Sequence, residues 1–207
     1  MARKKKKRGG RKQAGPGSAP APEPSGPPLG KRLVMAGLAV MVVAVAVYFW
    51  QSNRDMTAFE KTAKLGKPLL SSVITEKYLG SGHYEFGRQA YFPGRFPTSG
   101  QHDLRWIEPG FHDAPQNKGK LVHALEHGNV VVYYDDPGAE TIALLKSWSG
   151  LFGGQWSGLV VVPAPGLGEK VVLAAWRKKL RLKPFAEPAA AAFIDAFRGR
   201  GPEKPVR

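Results

Sequence analysis

The chain has 207 residues, no cysteine, and a net charge of +15 from 31 Lys/Arg against 16 Asp/Glu. Without cysteine there can be no disulfide, no thiolate metal site and no cysteine nucleophile, so any metal must be held by His, Asp, Glu or Met. The charge is uneven: residues 1–32 hold ten Lys/Arg against Glu23 alone. Placed just before an apolar stretch, that run reads as a topology signal and a partner for anionic lipid headgroups rather than as a nucleic-acid surface.

Residues 13–30 are rich in Gly, Pro, Ala and Ser. They carry too little apolar surface to offset the entropy of ordering, so the basic tail over 1–32 is expected to be disordered and cytoplasmic. Leu33 to Trp50 follows, eighteen residues without a charge. A helix of that length rises about 27 Å, close to the hydrocarbon thickness of a bilayer. Tyr48, Phe49 and Trp50 close it as an interfacial aromatic cluster does. A signal peptide is the rival reading, but thirty-two residues precede the stretch and no small-x-small cleavage site follows it. An uncleaved transmembrane helix over 33–50 is preferred. With positive charge retained in the cytoplasm, the C-terminal part lies in the periplasm or outside the cell.

Residues 51–80 read as a linker, into which the helix can extend before Gly66-Lys67-Pro68 stops it. The globular domain is placed at 81–204. Residues 81–119 hold many Gly, Pro, Asn and Asp and predict long ordered loops, which in a compact domain are usually functional. Leu121 to His127 fits one to two helical turns, and Val130 to Tyr134 is a β-branched and aromatic strand. Asp136-Pro137-Gly138 is a turn, and Ile142, Leu145 and Trp148 give Ala139 to Trp148 helical spacing. Strands at 159–162 and 171–176 are expected to pair as an antiparallel hairpin, and Ala189 to Phe197 forms a last helix. The expected class is α+β: a small antiparallel sheet with flanking short helices and long loops, preceded by one transmembrane helix.

All five histidines fall between His83 and His127. The sharpest pattern is His123-Ala-Leu-Glu126-His127. On a helix these three polar residues share one face, and imidazoles at i, i+4 can grip one ion with a carboxylate nearby. Gly128 then ends the helix in a left-handed cap. The bland alternative is that each ring donates to a backbone carbonyl and Glu126 is a surface acid. Two ligands are too few for a metal, so His102 is the choice for the third, with His83 or Glu126 as a possible fourth. Ser99 and Ser157 have no nucleophile elbow around them, and Thr98 and Ser99 read as turn residues. The Gly-rich stretch 152–158 lacks the lysine of a phosphate loop, and no organic cofactor is expected.

His83, Gly87, Tyr91, Pro97-Thr98-Ser99-Gly100-Gln101-His102 and Val122-His123-Ala124-Leu125-Glu126-His127-Gly128 together resemble the family catalogued as domain of unknown function 3105. So do Val131-Val132-Tyr133-Tyr134, Ala175-Trp176 and Gly201-Pro202-Glu203. The resemblance covers about residues 80–204 and implies a membrane-anchored or exported bacterial protein, with no activity attached. Two places depart from the family pattern: Phe96-Pro97 stands where two prolines are usual, and Gly110-Phe111-His112 where Gly-x-Tyr is common. His112 therefore looks less like a shared ligand than His102, His123 and His127.

Three functions are compatible with these features. The first is an extracytoplasmic module holding copper or zinc on imidazole nitrogens, with metal handling as its purpose. The second is a zinc metallohydrolase, in which His-x-x-Glu-His supplies two ligands and Glu126 the general base, with the downstream Glu203 as third ligand. The third is an envelope interaction or structural protein without metal, using aromatic residues such as Tyr91, Trp106 and Trp156 as a binding surface.

Overall fold

The computed structural model describes residues 17, 29–85, 88, 91–168 and 170–207. Apart from Gly17 and residues 29–32, the tail expected to be disordered lies outside the described residues, as does Gly87. The chain divides into two units, residues 1–46 and 47–207.

Helix α1, Leu29–Gly66, runs through that boundary. In the first unit, every side chain from 29 to 46 is exposed. This helix is long and apolar enough to cross a membrane, with a length and composition that also fit a signal sequence. In the second unit its distal part is a core element. Phe59 and Ala63, at i and i+4, are buried, and the Phe59 ring meets Trp148 and Phe152 edge-on at 5.3 and 4.8 Å. The region expected to be a linker thus contributes to the domain's interior. A 3-10 turn over Lys67–Ser72 follows, with Pro68 in its first turn.

The remaining elements are β1 (Ile74–Thr75), β2 (Gly110–Phe111), α2 (Lys118–Glu126), β3 (Val130–Tyr134), α3 (Ala139–Leu151), β4 (Leu159–Pro163), β5 (Val171–Ala175), β6 (Lys178–Leu182) and α4 (Glu187–Phe197). Among the described residues, six strands form one sheet in the order β1-β6-β5-β3-β4-β2. The class is α+β as expected, but the sheet is mixed rather than antiparallel. β3 pairs parallel with β4, Val131 opposite Val160, and β2 pairs parallel with β4.

The expected hairpin between 159–162 and 171–176 does not form, because β3 lies between those strands and pairs β5 antiparallel, Val132 opposite Leu173. The physical reason is that α3 carries the chain from β3 to a parallel neighbour, which needs a crossover of this length, and leaves the other edge of β3 open to β5. The true hairpin is β5–β6, with Arg177 at φ 60° in its turn. β6 lies within a basic run that gives no strand signal; its Lys179 is buried with Nζ 2.8 Å from Glu76 Oε1.

The sheet is covered on both faces, which is why β3, β4 and β5 are almost uniformly apolar. Val130, Val132, Val161 and Leu173 face a core with Phe59, Trp148, Phe193 and Ile194. Their alternate neighbours Val131, Tyr133, Val160 and Val172 face Leu121, Ala124, Leu125 and Phe96. α2 and the loop segments around Phe96 and Ile107 therefore lie on the second face, the side that carries His123 and His127 on α2 and its C-cap.

Candidate metal centre

Asn117 caps α2, its side chain accepting from the Lys120 N–H. Leu121, Ala124 and Leu125 pack on the sheet, which turns His123, Glu126 and His127 together toward the loops. The helix stops in a Schellman arrangement: Gly128 N–H donates to Leu125 C=O and Asn129 N–H to Ala124 C=O, each at 3.0 Å. Gly128 sits at φ 96°, the left-handed position anticipated for it.

The loops present the other rings. His102 N–H donates to Gly82 C=O and Tyr84 N–H to His102 C=O, both at 3.0 Å, which lays residues 82–84 alongside 102. Ser99 is fully buried and accepts from the Leu79 N–H at 3.0 Å, so it ties down this loop. Its hydroxyl has that structural use, in keeping with its reading as a turn residue.

The ligand atoms of His83, His102, His123 and Glu126 lie within 4.8 Å of one another. The histidine rings meet at centroid distances of 5.2 Å for His83–His102 and 4.9 Å for both His83–His123 and His102–His123. A second group, His123, His127 and Glu203, satisfies the same distance limit and shares His123 with the first. Of the ligands expected from the sequence, His102 and His123 thus stand with both possible fourth ligands, while His127 stands with His123 and Glu203. His112 joins neither group; its Nε2–H donates to Glu108 C=O at 3.0 Å.

Two rings have one nitrogen tied to the main chain. His102 Nδ1–H donates to Gly100 C=O at 2.9 Å, and His123 Nδ1–H to Asp103 C=O at 2.8 Å. A carbonyl only accepts, so each Nδ1 carries a proton, and in the neutral ring each Nε2 presents a lone pair. A main-chain acceptor alone is equally what a structural histidine has. The second nitrogen discriminates. His102 is fully buried, and its Nε2 makes no hydrogen bond to the described residues although Glu126 Oε2 is only 3.0 Å away. Asp103 is itself held: Tyr84 Oη donates to Oδ2 and Arg105 N–H to Oδ1, both at 2.9 Å. The latter bond is the main cause that draws the Asp103 carboxyl below its usual range.

His127 is buried between Trp106 and Trp156, at centroid distances of 4.7 and 4.3 Å. Its Nε2 is 3.2 Å from Glu203 Oε2, and its Nδ1 has no partner among the described residues. Glu203 arrives on a C-terminal strap. Gly199 N–H donates to Gly128 C=O at 2.8 Å, and Gly201 lies so close to Glu126 O that a Cβ there has no room. Burial, then the neighbouring His123, pushes the His127 ring down to about 4. Burial first, with His102 and His83 adding to it, lowers His123 as well. Both rings are therefore neutral near pH 7, the form that ligates metal.

A mixed α+β domain carrying a convergent His/Glu cluster is the class that fold and site define. Residues 83–207 match the family model described as Protein of unknown function (DUF3105), and the chain belongs to that family. No curated protein and no solved structure matches the chain.

Proposed function

We propose that this chain is a membrane-anchored domain that binds one divalent metal ion, zinc or copper, on the side of the membrane opposite its basic N-terminus. One observation carries the metal reading: the lone pair of His102 Nε2 faces a carboxylate oxygen at 3.0 Å with no hydrogen bond between them, in a buried place. Two acceptors at that distance repel unless a cation lies beside them. A proton or a metal ion relieves the contact. The convergence of His83 and His123 on the same region favours the ion, because a proton needs two acceptors and a metal three or four. The main-chain carbonyls on Nδ1 of His102 and His123 are the outer partners that orient metal-binding imidazoles. The apolar helix and the ten basic residues before residue 33 support the anchor and the inward tail, with anionic headgroups as the tail's partner.

The test is metal analysis of the full chain purified in detergent, stripped and reloaded with zinc or copper. The wild type is expected to hold one equivalent, and His102→Ala combined with His123→Ala to hold almost none. Equal metal content in both proteins would end this reading.

One observation favours the hydrolase as a second reading: Glu203, distant in sequence, does stand beside His127 and His123. With those three as ligands, Glu126 is the base that takes the proton of a bound water. Glu126→Gln is then expected to abolish peptide or ester hydrolysis while metal is retained. A metal-loaded wild type inert toward broad peptide and ester panels would dismiss the hydrolase and leave the binding function intact.

A further inference from the structure

The two ligand groups are not independent, because both need His123. Its Nδ1 carries a proton donated to Asp103 C=O, so Nε2 is its one available ligand atom, and one lone pair holds one ion. Without His123 the second group keeps only His127 and Glu203, too few to hold a metal. We infer that the centre has two positions for a single ion that pivots on His123: one with His83, His102 and Glu126, the other with His127 and Glu203. The inference rests on the metal-binding reading and adds exchange to it.

The positions differ in chemistry. The first has three imidazoles and a carboxylate, with His102 and His123 buried and His83 exposed. The second has two imidazoles and one carboxylate, and Glu203 is 45% exposed at the side chain. An ion bound through Glu203 is open to solvent and to incoming ligands, and one turn about His123 carries it to the nitrogen-rich set. The strap that delivers Glu203 is bonded to Gly128 and Glu126, the residues that end α2, through Gly199 N–H at 2.8 Å and Glu203 N–H at 3.4 Å. The position of Glu203 is therefore coupled to the helix that carries His123 and His127. A divalent ion that is acquired and passed on is the ligand this arrangement suits.

The experiment uses the full chain in detergent with zinc and cobalt(II) as probes. Wild type is expected to bind one zinc. The variant His102→Ala with Glu126→Gln is expected still to bind one, at least tenfold more weakly, and to lose it when His127→Ala is added. Thermal melts establish that each variant is folded. Added to His102→Ala/Glu126→Gln, the surface change Glu203→Gln gives a second measurement: the visible spectrum of bound cobalt is expected to differ from that of His102→Ala/Glu126→Gln, because a ligand of the remaining position is lost. Absence of zinc in folded His102→Ala/Glu126→Gln, identical cobalt spectra, or two zinc ions in the wild type would each overturn the shared pivot while leaving the binding function standing. No zinc in the wild type would overturn both.

Discussion

Phe59 lies in a segment whose sequence resembles a spacer between membrane and domain, yet it is 3% exposed and wedged between Trp148 and Phe152. Replacing it with alanine removes a ring from a close-packed core and leaves a cavity bounded by the sheet and α3. Such Phe→Ala changes cost about 3–5 kcal/mol. Two edge-on ring contacts are lost here, so the lower half of that range is the minimum expected. For a unit of this size, 1 kcal/mol moves the melting temperature by roughly 2–4 °C, which puts the variant about 10 °C lower. Urea unfolding of the full chain in detergent, followed by far-ultraviolet circular dichroism and by the fluorescence of Trp148 beside the cavity, measures the loss. Leu65→Ala is the internal control: the same helix, but a side chain 71% exposed, where a change within about 0.5 kcal/mol is expected. A Phe59→Ala loss under about 1 kcal/mol, or one equal to the Leu65→Ala loss, would show that this part of α1 is not packed into the domain. The same reasoning predicts that a chain beginning at residue 67 is less stable than one that retains residues 47–66.

Tyr133 is buried with a hydroxyl that has no partner among the described residues, and burial raises its pKa. Tyr133→Phe is therefore expected to be neutral or to stabilise by about 1 kcal/mol in urea unfolding, and a clear destabilisation would reveal a hydrogen bond to that oxygen. Gly128→Ala forces a side chain into a left-handed conformation, worth about 1–2 kcal/mol, and sets its Cβ 2.7 Å from Gly201 N. It should lower the melting temperature and loosen the C-terminal strap, read as faster amide exchange at residues 199–207. In the metal-free protein the stability should also depend on pH. The His127 ring sits at about 4 when folded and near 6.5 when unfolded. The unfolded chain binds the proton more readily, so stability is full above about 6.5 and is lost as the pH falls toward 4, by up to about 3 kcal/mol. The lowered His123 ring acts in the same direction. His127→Gln should flatten this dependence, and an unchanged profile in that variant would refute the assignment.

Local chemistry makes several features of the chain legible in the sequence alone. The uncharged run from Leu33 to Trp50 has to be helical if it crosses a bilayer, because backbone groups there have no water to bond. Asn117, the spacing of Leu121 and Leu125, and Gly128 together set out α2 and its end, since caps and left-handed glycines act over a few residues. The same spacing puts His123, Glu126 and His127 on one face. Those three residues do not reveal their company. His83, His102 and Glu203 reach them from loops and a tail whose path depends on which strands are neighbours. That choice is invisible in sequence: strands covered on both faces are apolar at every position, so Val130–Tyr134 and Leu159–Pro163 carry no alternation to declare a partner. The basic run from 178 to 182 hides its strand for a different reason. Lys179 is buried there only because Glu76, a hundred residues earlier, supplies its counter-charge. Side-chain periodicity is a property of a few consecutive residues, whereas the meeting of His102 with Glu126 and of His127 with Glu203 depends on long-range packing, which only the folded chain decides.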